Sequence, residues 1–328
     1  MARQKLTVFI TRPIPKNGID LIKQYAKVVL RDKDSIITRA ELLAGIKNAD
    51  IIVPILTDKI DAKVLDAAPK LKLIANYGAG YNNIDIPAAT ERGIMVTNTP
   101  GVLTDTTGEL AVGLMLAIAR RIPETEHIMR AGKYPGWGPL MYLGHEVSGK
   151  TLGIIGLGRI GNRVAEIANH GFGMNILYHT QKKERDVERS LGAKKVTLAT
   201  LLKQSDFVTM HVPLTEETHH MIGKKELKMM KSDAFLINTS RGPVVNEKSL
   251  VEALKKNEIA GAALDVYENE PKMAPGLSKL KNALLVPHIG SATIEARSAM
   301  AKLAAKNVVA FINKKPLPTL VNREVLIK

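Results

Sequence analysis

The chain has 328 residues, enough for two domains that each bury a core of their own. Hydrophobic residues make up 45% and charged residues 24%, the balance of an ordinary globular protein, and the lack of any cysteine excludes disulfides, thiolate catalysis and cysteine-held metals. A formal net charge of +15 invites a nucleic-acid reading, but the lysines are scattered in pairs (Lys182-Lys183, Lys194-Lys195, Lys224-Lys225, Lys255-Lys256, Lys314-Lys315) and aromatics reach only 4%, so no stacking platform accompanies a basic patch.

In chain order, residues 6–11, 28–30, 51–55, 71–75 and 94–97 read as short buried strands. Segments 18–26, 39–47 and 62–67 between them carry helix-like spacing, and this alternation implies a parallel sheet covered by helices. A long helical segment over 108–121 follows, then an irregular stretch over 132–149 rich in glycine and proline and holding Trp137, the only tryptophan. A second alternating series begins at Thr151, with strands expected at 151–155, 175–178, 207–211, 234–238, 260–266 and 283–286. Helical segments are expected at 198–204, 224–229 and 247–256, the last capped by Asn246 with Glu247 in its first turn. After Pro287 comes another helical run, 293–312, ended by Lys314-Lys315-Pro316-Leu317-Pro318. The fold class is therefore α/β, with two doubly wound parallel-sheet units, the second embedded in the chain and the last forty or so residues free to return to the first.

The second series opens on Thr151-Leu-Gly-Ile-Ile-Gly156-Leu-Gly158-Arg159-Ile160-Gly161, an apolar strand, a glycine turn and then the amphipathic segment 162–169. This is the strand–turn–helix context in which G-x-G-x-x-G binds a dinucleotide. Gly156 permits the tight turn, Gly158 lets the backbone approach a pyrophosphate, Gly161 lets helix pack on strand, and the helix start at Arg159 and Ile160 faces the anion.

In an open parallel sheet, ligands gather outside the carboxyl ends of the strands. Three polar residues fall at or beyond such ends: Arg241 after 234–240, Glu270 after 262–269 and His288 after 284–287. A cation, an acid and an imidazole on one sheet edge suit carbonyl reduction. Arginine grips a 2-oxo acid and polarises its carbonyl, histidine delivers the proton to the forming alkoxide, and a carboxylate beside it stabilises the imidazolium. A nicotinamide would supply the hydride. His219-His220 is an adjacent pair with no partner at metal-ligand spacing, so both are expected on the surface and no metal site is expected.

These motifs resemble the D-isomer-specific 2-hydroxyacid dehydrogenases over essentially the whole chain. The matching stretches are Gly156-x-Gly158-x-x-Gly161, Asn238-Thr-Ser-Arg241-Gly, Asp265-Val-Tyr-Glu-Asn-Glu270-Pro and Pro287-His288-Ile-Gly-Ser291. Within that family the chain looks most like the glyoxylate/hydroxypyruvate reductase branch, through Trp137-Gly-Pro-Leu-Met-Tyr and Pro316-Leu-Pro-Thr-Leu-Val-Asn322. The resemblance implies a Rossmann dinucleotide-binding domain at 100–287, inserted into a flavodoxin-like substrate domain made of 1–99 and 288–328. It implies Arg241, Glu270 and His288 as the catalytic set, and a loop Gly78-Ala79-Gly80 whose backbone amides bind the substrate carboxylate.

Further positions follow from the same resemblance. Thr107 stands near the nicotinamide and phosphates, or is an ordinary helix-start threonine. Asp265 holds the nicotinamide amide, or hydrogen-bonds a loop. Val212 and Pro213 flank the adenine, Thr239, Ser240 and Ser291 join the cofactor site, and Trp137 is either a core filler or a substrate-pocket wall donated across a dimer interface. The acid that usually selects NAD is missing: His179 stands in its place, followed by Thr180, Gln181 and Lys182. Loss of that carboxylate removes the repulsion of a 2′-phosphate, so NADP(H) is the expected cofactor, with NAD(H) also admitted.

A small 2-oxo or 2-hydroxy acid is the expected partner, in a homodimer, with no nucleic acid. No apolar run approaches a membrane span and the start Met1-Ala-Arg-Gln-Lys5 carries no signal-peptide core, so no membrane partner and a cytoplasmic location are expected. The competing readings are a sibling oxidation (phosphoglycerate, phosphite or a longer hydroxy acid) and a nucleotide-sensing corepressor of the same architecture.

Overall fold

In the computed structural model, which describes residues 5–327, the chain divides into two units, one built from Met1–Leu103 and Ala292–Lys328 and the other from Thr104–Ser291. In the first, the elements run β1 (Thr7–Ile10), α1 (Lys16–Tyr25), β2 (Lys27–Leu30), α2 (Arg39–Ile46), β3 (Ile51–Val53), α3 (Ala62–Asp66), β4 (Leu73–Ala75), α4 (Ile86–Glu91) and β5 (Met95–Thr97). The strands are parallel in the order β2-β1-β3-β4-β5, the flavodoxin-like arrangement. Helices cover both faces, so the inner strands β3 and β4 are apolar and buried throughout rather than alternating with polar residues. Phe9, Ile52, Ile74 and Val96 pack into one layer, and Val8, Ile10, Ile51, Val53 and Leu73 into the other. Helix starts are fixed locally: Thr38 and Glu41 form a capping box on α2, and Asp61 and Asp85 cap α3 and α4, each cap contributing about 1 kcal/mol.

The second unit contains α5 (Thr104–Ala119), α6 (Ile122–Arg130), β6 (Thr151–Ile155), α7 (Arg159–Phe172), β7 (Asn175–His179), α8 (Arg185–Leu191), β8 (Lys194–Lys195), α9 (Leu198–Gln204), β9 (Phe207–Met210), α10 (Lys224–Leu227), β10 (Phe235–Asn238), α11 (Glu247–Lys255), β11 (Gly261–Leu264) and β12 (Ala283–Leu285). All seven strands are parallel in the order β12-β11-β10-β9-β6-β7-β8, a Rossmann sheet whose direction of winding reverses between β6 and β9. The chain then returns as α12 (Ile294–Ile312), which packs on α1 in the first unit. Gly18 makes that packing close, since a Cβ there would lie 2.7 Å from the Ala301 carbonyl oxygen. Buried Asn322 then anchors the tail, accepting from Val96 N at 2.8 Å and donating to Ile94 O at 2.9 Å.

Three features differ from the sequence expectations. The units part after Leu103 and Ser291 rather than at 99/100 and 287/288. Residues 288–291 stay with the second unit because Ile289 N and Gly290 N donate to the Asp265 carboxylate (2.6 and 2.8 Å) and Thr107 Oγ1 donates to Gly290 O (2.8 Å). The long helix begins a turn early, at Thr104, and ends where Arg121 turns left-handed (φ 54°). Helices α4, α6 and α8 and strand β8 were not anticipated. Helix α6 buries none of its residues, α8 buries only Leu191, and β8 is two exposed lysines, so none of these three packs an apolar face into a core.

Candidate active site

The glycine turn after β6 is built from three glycines with different duties. Gly156 takes φ 92°, and a Cβ there would lie 2.7 Å from Val212 Cγ1 and 2.8 Å from the His211 carbonyl. At Gly161 a Cβ would strike the Gly156 carbonyl oxygen, so only glycine lets α7 seat against the turn. Gly158 is different: no protein atom lies within 4 Å of where its Cβ would be. Packing therefore does not require glycine at 158, and the turn leaves its backbone open to approach from outside. It caps α7 without a side-chain bond, and Asn162 N closes the first helical turn onto Gly158 O at 2.9 Å. The amides of Arg159, Ile160 and Gly161 thus begin a fourteen-residue helix with no partner upstream in it, an anion site by dipole and donors alike. Ile160 packs on the core, Arg159 is exposed, and the fit is to a dinucleotide pyrophosphate.

At the end of β7, His179 is half-buried with Nδ1 3.1 Å from Val196 O, and its carbonyl accepts from Gly156 N. Thr180 and the exposed Gln181 follow. Gln181 Nε2 reaches the Glu217 carboxylate at 3.4 Å, while Lys195 Nζ donates to Gln181 O at 2.8 Å. Lys183 pairs with Glu188 at 3.2 Å, and Lys182 is exposed. The Gln181 contact brings Glu217, 36 residues away in sequence, against the β7 exit, a neighbour that sequence spacing could not reveal.

The exits of β10, β11 and β12 carry Arg241, Glu270 and His288, the three residues expected to be catalytic. Asn238 shapes the first: its Oδ1 accepts from Ser240 N (3.0 Å) and Oγ (2.8 Å), and its Nδ2 donates to Arg241 O (3.0 Å). The Arg241 guanidinium donates to Ser240 O at 2.6 Å. A Cβ on Gly242 would overlap the Tyr267 carbonyl, so glycine there lets the Arg241 turn lie against the exit of β11. Burial lowers the Arg241 pKa and the Glu270 carboxylate opposes that change; the guanidinium stays charged at any working pH. Thr239 is buried, and its hydroxyl has no partner among the described residues, an unmet polar group at the exit of β10.

Glu270 and His288 meet directly, His288 Nδ1 lying 2.9 Å from Glu270 Oε2, with each side chain about a third exposed. The other Glu270 oxygen accepts from Tyr267 N at 3.1 Å. Burial pushes the Glu270 pKa up, but the hydrogen bond and charge of His288, with the Tyr267 amide and Arg241, outweigh it and hold the carboxyl below its usual range. His288 has φ 52°, an uncommon conformation for a side-chain-bearing residue, braced by Asp265, whose two oxygens grip the next two amides. With Nδ1 committed to Glu270, Nε2 is the ring nitrogen left for proton transfer. His211 cannot share that work, since burial drives its pKa down to about 3 and its Nε2 bonds Thr209 Oγ1 at 2.9 Å.

The other sequence candidates lie around this pair and the glycine turn or apart from them. Thr107 is buried in the first turn of α5 and donates to Gly290 O, and Asp265 holds the 289–290 amides, so both brace the His288 segment. Val212 packs on Gly156, Pro213 is exposed, and Ser291 ends the segment. Trp137 is 85% exposed, which removes the core-filler reading. His219 is exposed as expected, but His220 is not a bare surface residue: half-buried, it pairs through Nε2 with Glu268. The sequence also missed Glu247, whose buried carboxylate accepts two amides of the loop that carries Glu270.

In the first unit, the loop after β4 has all three carbonyls engaged. Gly78 O accepts from Thr99 N (2.9 Å), Ala79 O from Asn98 Nδ2 (2.7 Å) and Gly80 O from Asn76 Nδ2 (2.8 Å). A cavity of about 1140 Å³ lies in the same unit between the amino ends of its strands (Leu6, Asp50, Lys72, Met95) and the 311–326 tail, the edge opposite to that on which open α/β sheets bind ligands.

Residues 112–290 match the family model of the D-isomer specific 2-hydroxyacid dehydrogenase, NAD binding domain. The chain is 53% identical to a glyoxylate reductase of Thermococcus litoralis over 326 residues, covering 98% of each protein. Among solved structures, it is similar to a glyoxylate reductase of Paecilomyes thermophila (TM-score 0.86, 35% identity, 98% of this chain and 99% of that one). It is similar also to an NADPH-dependent glyoxylate/hydroxypyruvate reductase of Sinorhizobium meliloti in complex with NADP and malonate (TM-score 0.85, 32% identity, 98% of each chain).

Proposed function

The chain belongs to the D-isomer-specific 2-hydroxyacid dehydrogenase family and is an NAD(P)-dependent oxidoreductase; on that premise we propose that it reduces glyoxylate or hydroxypyruvate to the D-2-hydroxy acid. The observation that carries the site reading is the Glu270–His288 contact on the sheet edge that also bears Arg241 and the glycine turn. A bound nicotinamide supplies the hydride. Gly158 and the first amides of α7 receive the pyrophosphate. Arg241 binds the substrate and polarises its carbonyl, stabilising the negative charge that grows on oxygen. His288, protonated and oriented through Nδ1 by Glu270, donates from Nε2 to that oxygen and recovers the proton in the reverse direction. Asp265 and Thr107 keep the His288 segment in place. In the other unit, the tied carbonyls of the 78–80 loop leave the Ala79 and Gly80 amides as carboxylate donors.

NADP(H) is the proposed cofactor, supported by the missing acid at His179 and by exposed Lys182. The proposed assembly is a homodimer. Ile122, Met129, Tyr134, Trp137, Leu140 and Leu143 are all at least 47% exposed within one stretch of chain, an apolar surface of the kind that a second copy covers. A chain without cysteine suits the reducing cytoplasm, its proposed location.

The test is oxidation of NADPH and of NADH, followed at the reduced-nicotinamide band, with glyoxylate, hydroxypyruvate, pyruvate, phosphohydroxypyruvate and a longer 2-oxo acid. Fastest turnover on glyoxylate or hydroxypyruvate is expected; silence on all of them overturns the proposal. Sedimentation equilibrium, with Trp137→Ser as the variant, tests the dimer.

A further inference from the structure

Glu270 rides on residues 265–276, a segment outside any helix or strand. A catalytic carboxylate on such a segment needs bracing, since every free backbone dihedral widens its distribution of positions. Tyr267 ties its start through Oη to Val286 O at 2.9 Å, and one side chain from outside the segment holds it on both sides of Glu270. Glu268 N donates to Glu247 Oε1 at 2.6 Å and Ala274 N donates to Glu247 Oε2 at 2.8 Å, so two bonds to a single carboxylate bracket Glu270.

Glu247 is the first residue of α11 and only 3% exposed. An acid in a helix's first turn ordinarily faces solvent and answers the helix dipole; this one is buried and gives both oxygens to another segment's amides. The link is reciprocal. The Glu268 carboxylate accepts from Glu247 N at 3.3 Å and pairs with His220 Nε2, while the α11 cap Asn246 reaches His220 Nδ1 at 3.3 Å. A continuous chain of bonds therefore runs from the rigid start of α11, through the loop, to Glu270 and His288.

We propose that Glu247 is a positioning residue of the reaction: by holding the loop at Glu268 and Ala274 it sets the height from which Glu270 reaches His288 Nδ1. This rests on the acid–base role assigned to the Glu270–His288 pair. Displacement of a reacting group by about 1 Å can cost roughly 10²-fold in rate, so the brace acts on kcat rather than on cofactor binding.

Glu247→Gln is the informative variant, because a carboxamide keeps one acceptor and turns an NH2 donor toward the other amide. In the cofactor-saturated enzyme, kcat for glyoxylate reduction should fall roughly tenfold to 10²-fold, with cofactor Kd unchanged. The alkaline limb of the pH profile, and the His288 ring titration followed by NMR, should both move to lower pH. In a Glu270→Gln background the same change should have little further effect, since it acts through a group already removed. An unmoved limb and titration in a folded Glu247→Gln enzyme, or full additivity with Glu270→Gln, overturns the inference. If Glu270→Gln by itself leaves the limb in place, the acid–base reading of the site fails instead. Should Glu247→Gln not fold, His220→Ala loosens the same chain from its half-buried end; a smaller shift in the same direction supports the brace, and no shift overturns it.

Discussion

His288 Nδ1 and Glu270 Oε2 are 2.9 Å apart, so in the proposed mechanism the imidazole meets the substrate through Nε2. The carboxylate also stabilises the protonated ring, so it should set the pH range of reduction. The Glu270 pKa is depressed in the folded protein, so its contribution is fully present above the ordinary carboxylate pKa and is lost as pH falls through the folded value. By reciprocity, an ionised Glu270 favours imidazolium. Glu270→Gln should therefore shift the alkaline limb of kcat/KM for reduction to lower pH; an unchanged limb rejects the coupling.

The proposed mechanism gives proton delivery to His288. His288→Ala should lower kcat by roughly 10²–10⁴-fold, the usual range for a lost general acid, while cofactor binding, read by fluorescence quenching of the nicotinamide, stays near wild type. Near-normal turnover would falsify the assignment.

Arg241→Lys keeps a charge and loses the planar fork. A loss of kcat/KM of roughly 10²-fold is expected, the scale of removing one oriented donor at a developing oxyanion, with KM raised and kcat lowered together. A change confined to thermal stability would make Arg241 structural.

Asp265 should report on structure more than on cofactor. Asp265→Ala leaves the Ile289 and Gly290 amides without their acceptor, at a cost of about 1–3 kcal/mol for each buried donor. A lower urea midpoint is expected together with reduced kcat, because the same amides seat His288. Unaltered stability with a raised cofactor KM would return Asp265 to a direct nicotinamide contact.

Cofactor choice turns on the β7 exit. Preference for NADPH over NADH in kcat/KM of about tenfold or more is expected, since one charge-assisted hydrogen bond of roughly 1.5–3 kcal/mol supports such a ratio. His179→Asp should reverse it. Because Glu217 sits against Gln181, Glu217→Gln should strengthen the NADPH preference further. A clear NADH preference in the wild type shows that this exit was misread.

Local chemistry was enough for much of this protein. Alternating apolar runs and helical spacings announced two parallel sheets, and Gly156, Gly158 and Gly161 between a strand and a helix announced a dinucleotide site, because backbone sterics and periodicity are encoded within a few neighbouring residues. Arg241, Glu270 and His288 were legible as polar residues just past apolar strands. What the sequence could not supply were relationships across distance. Glu217 meets Gln181 across 36 residues, and His220 meets Glu268 across 48. Glu247 looked like a first-turn acid until the fold buried it under the 268–274 loop. Elements that bury none of their residues, α6 and β8, were equally silent, since no core-facing pattern marks them. His288 shows the division most plainly: its identity and place after β12 are written in the chain, while its left-handed backbone and its Glu270 partner exist only once Asp265 has drawn the exits of β11 and β12 together.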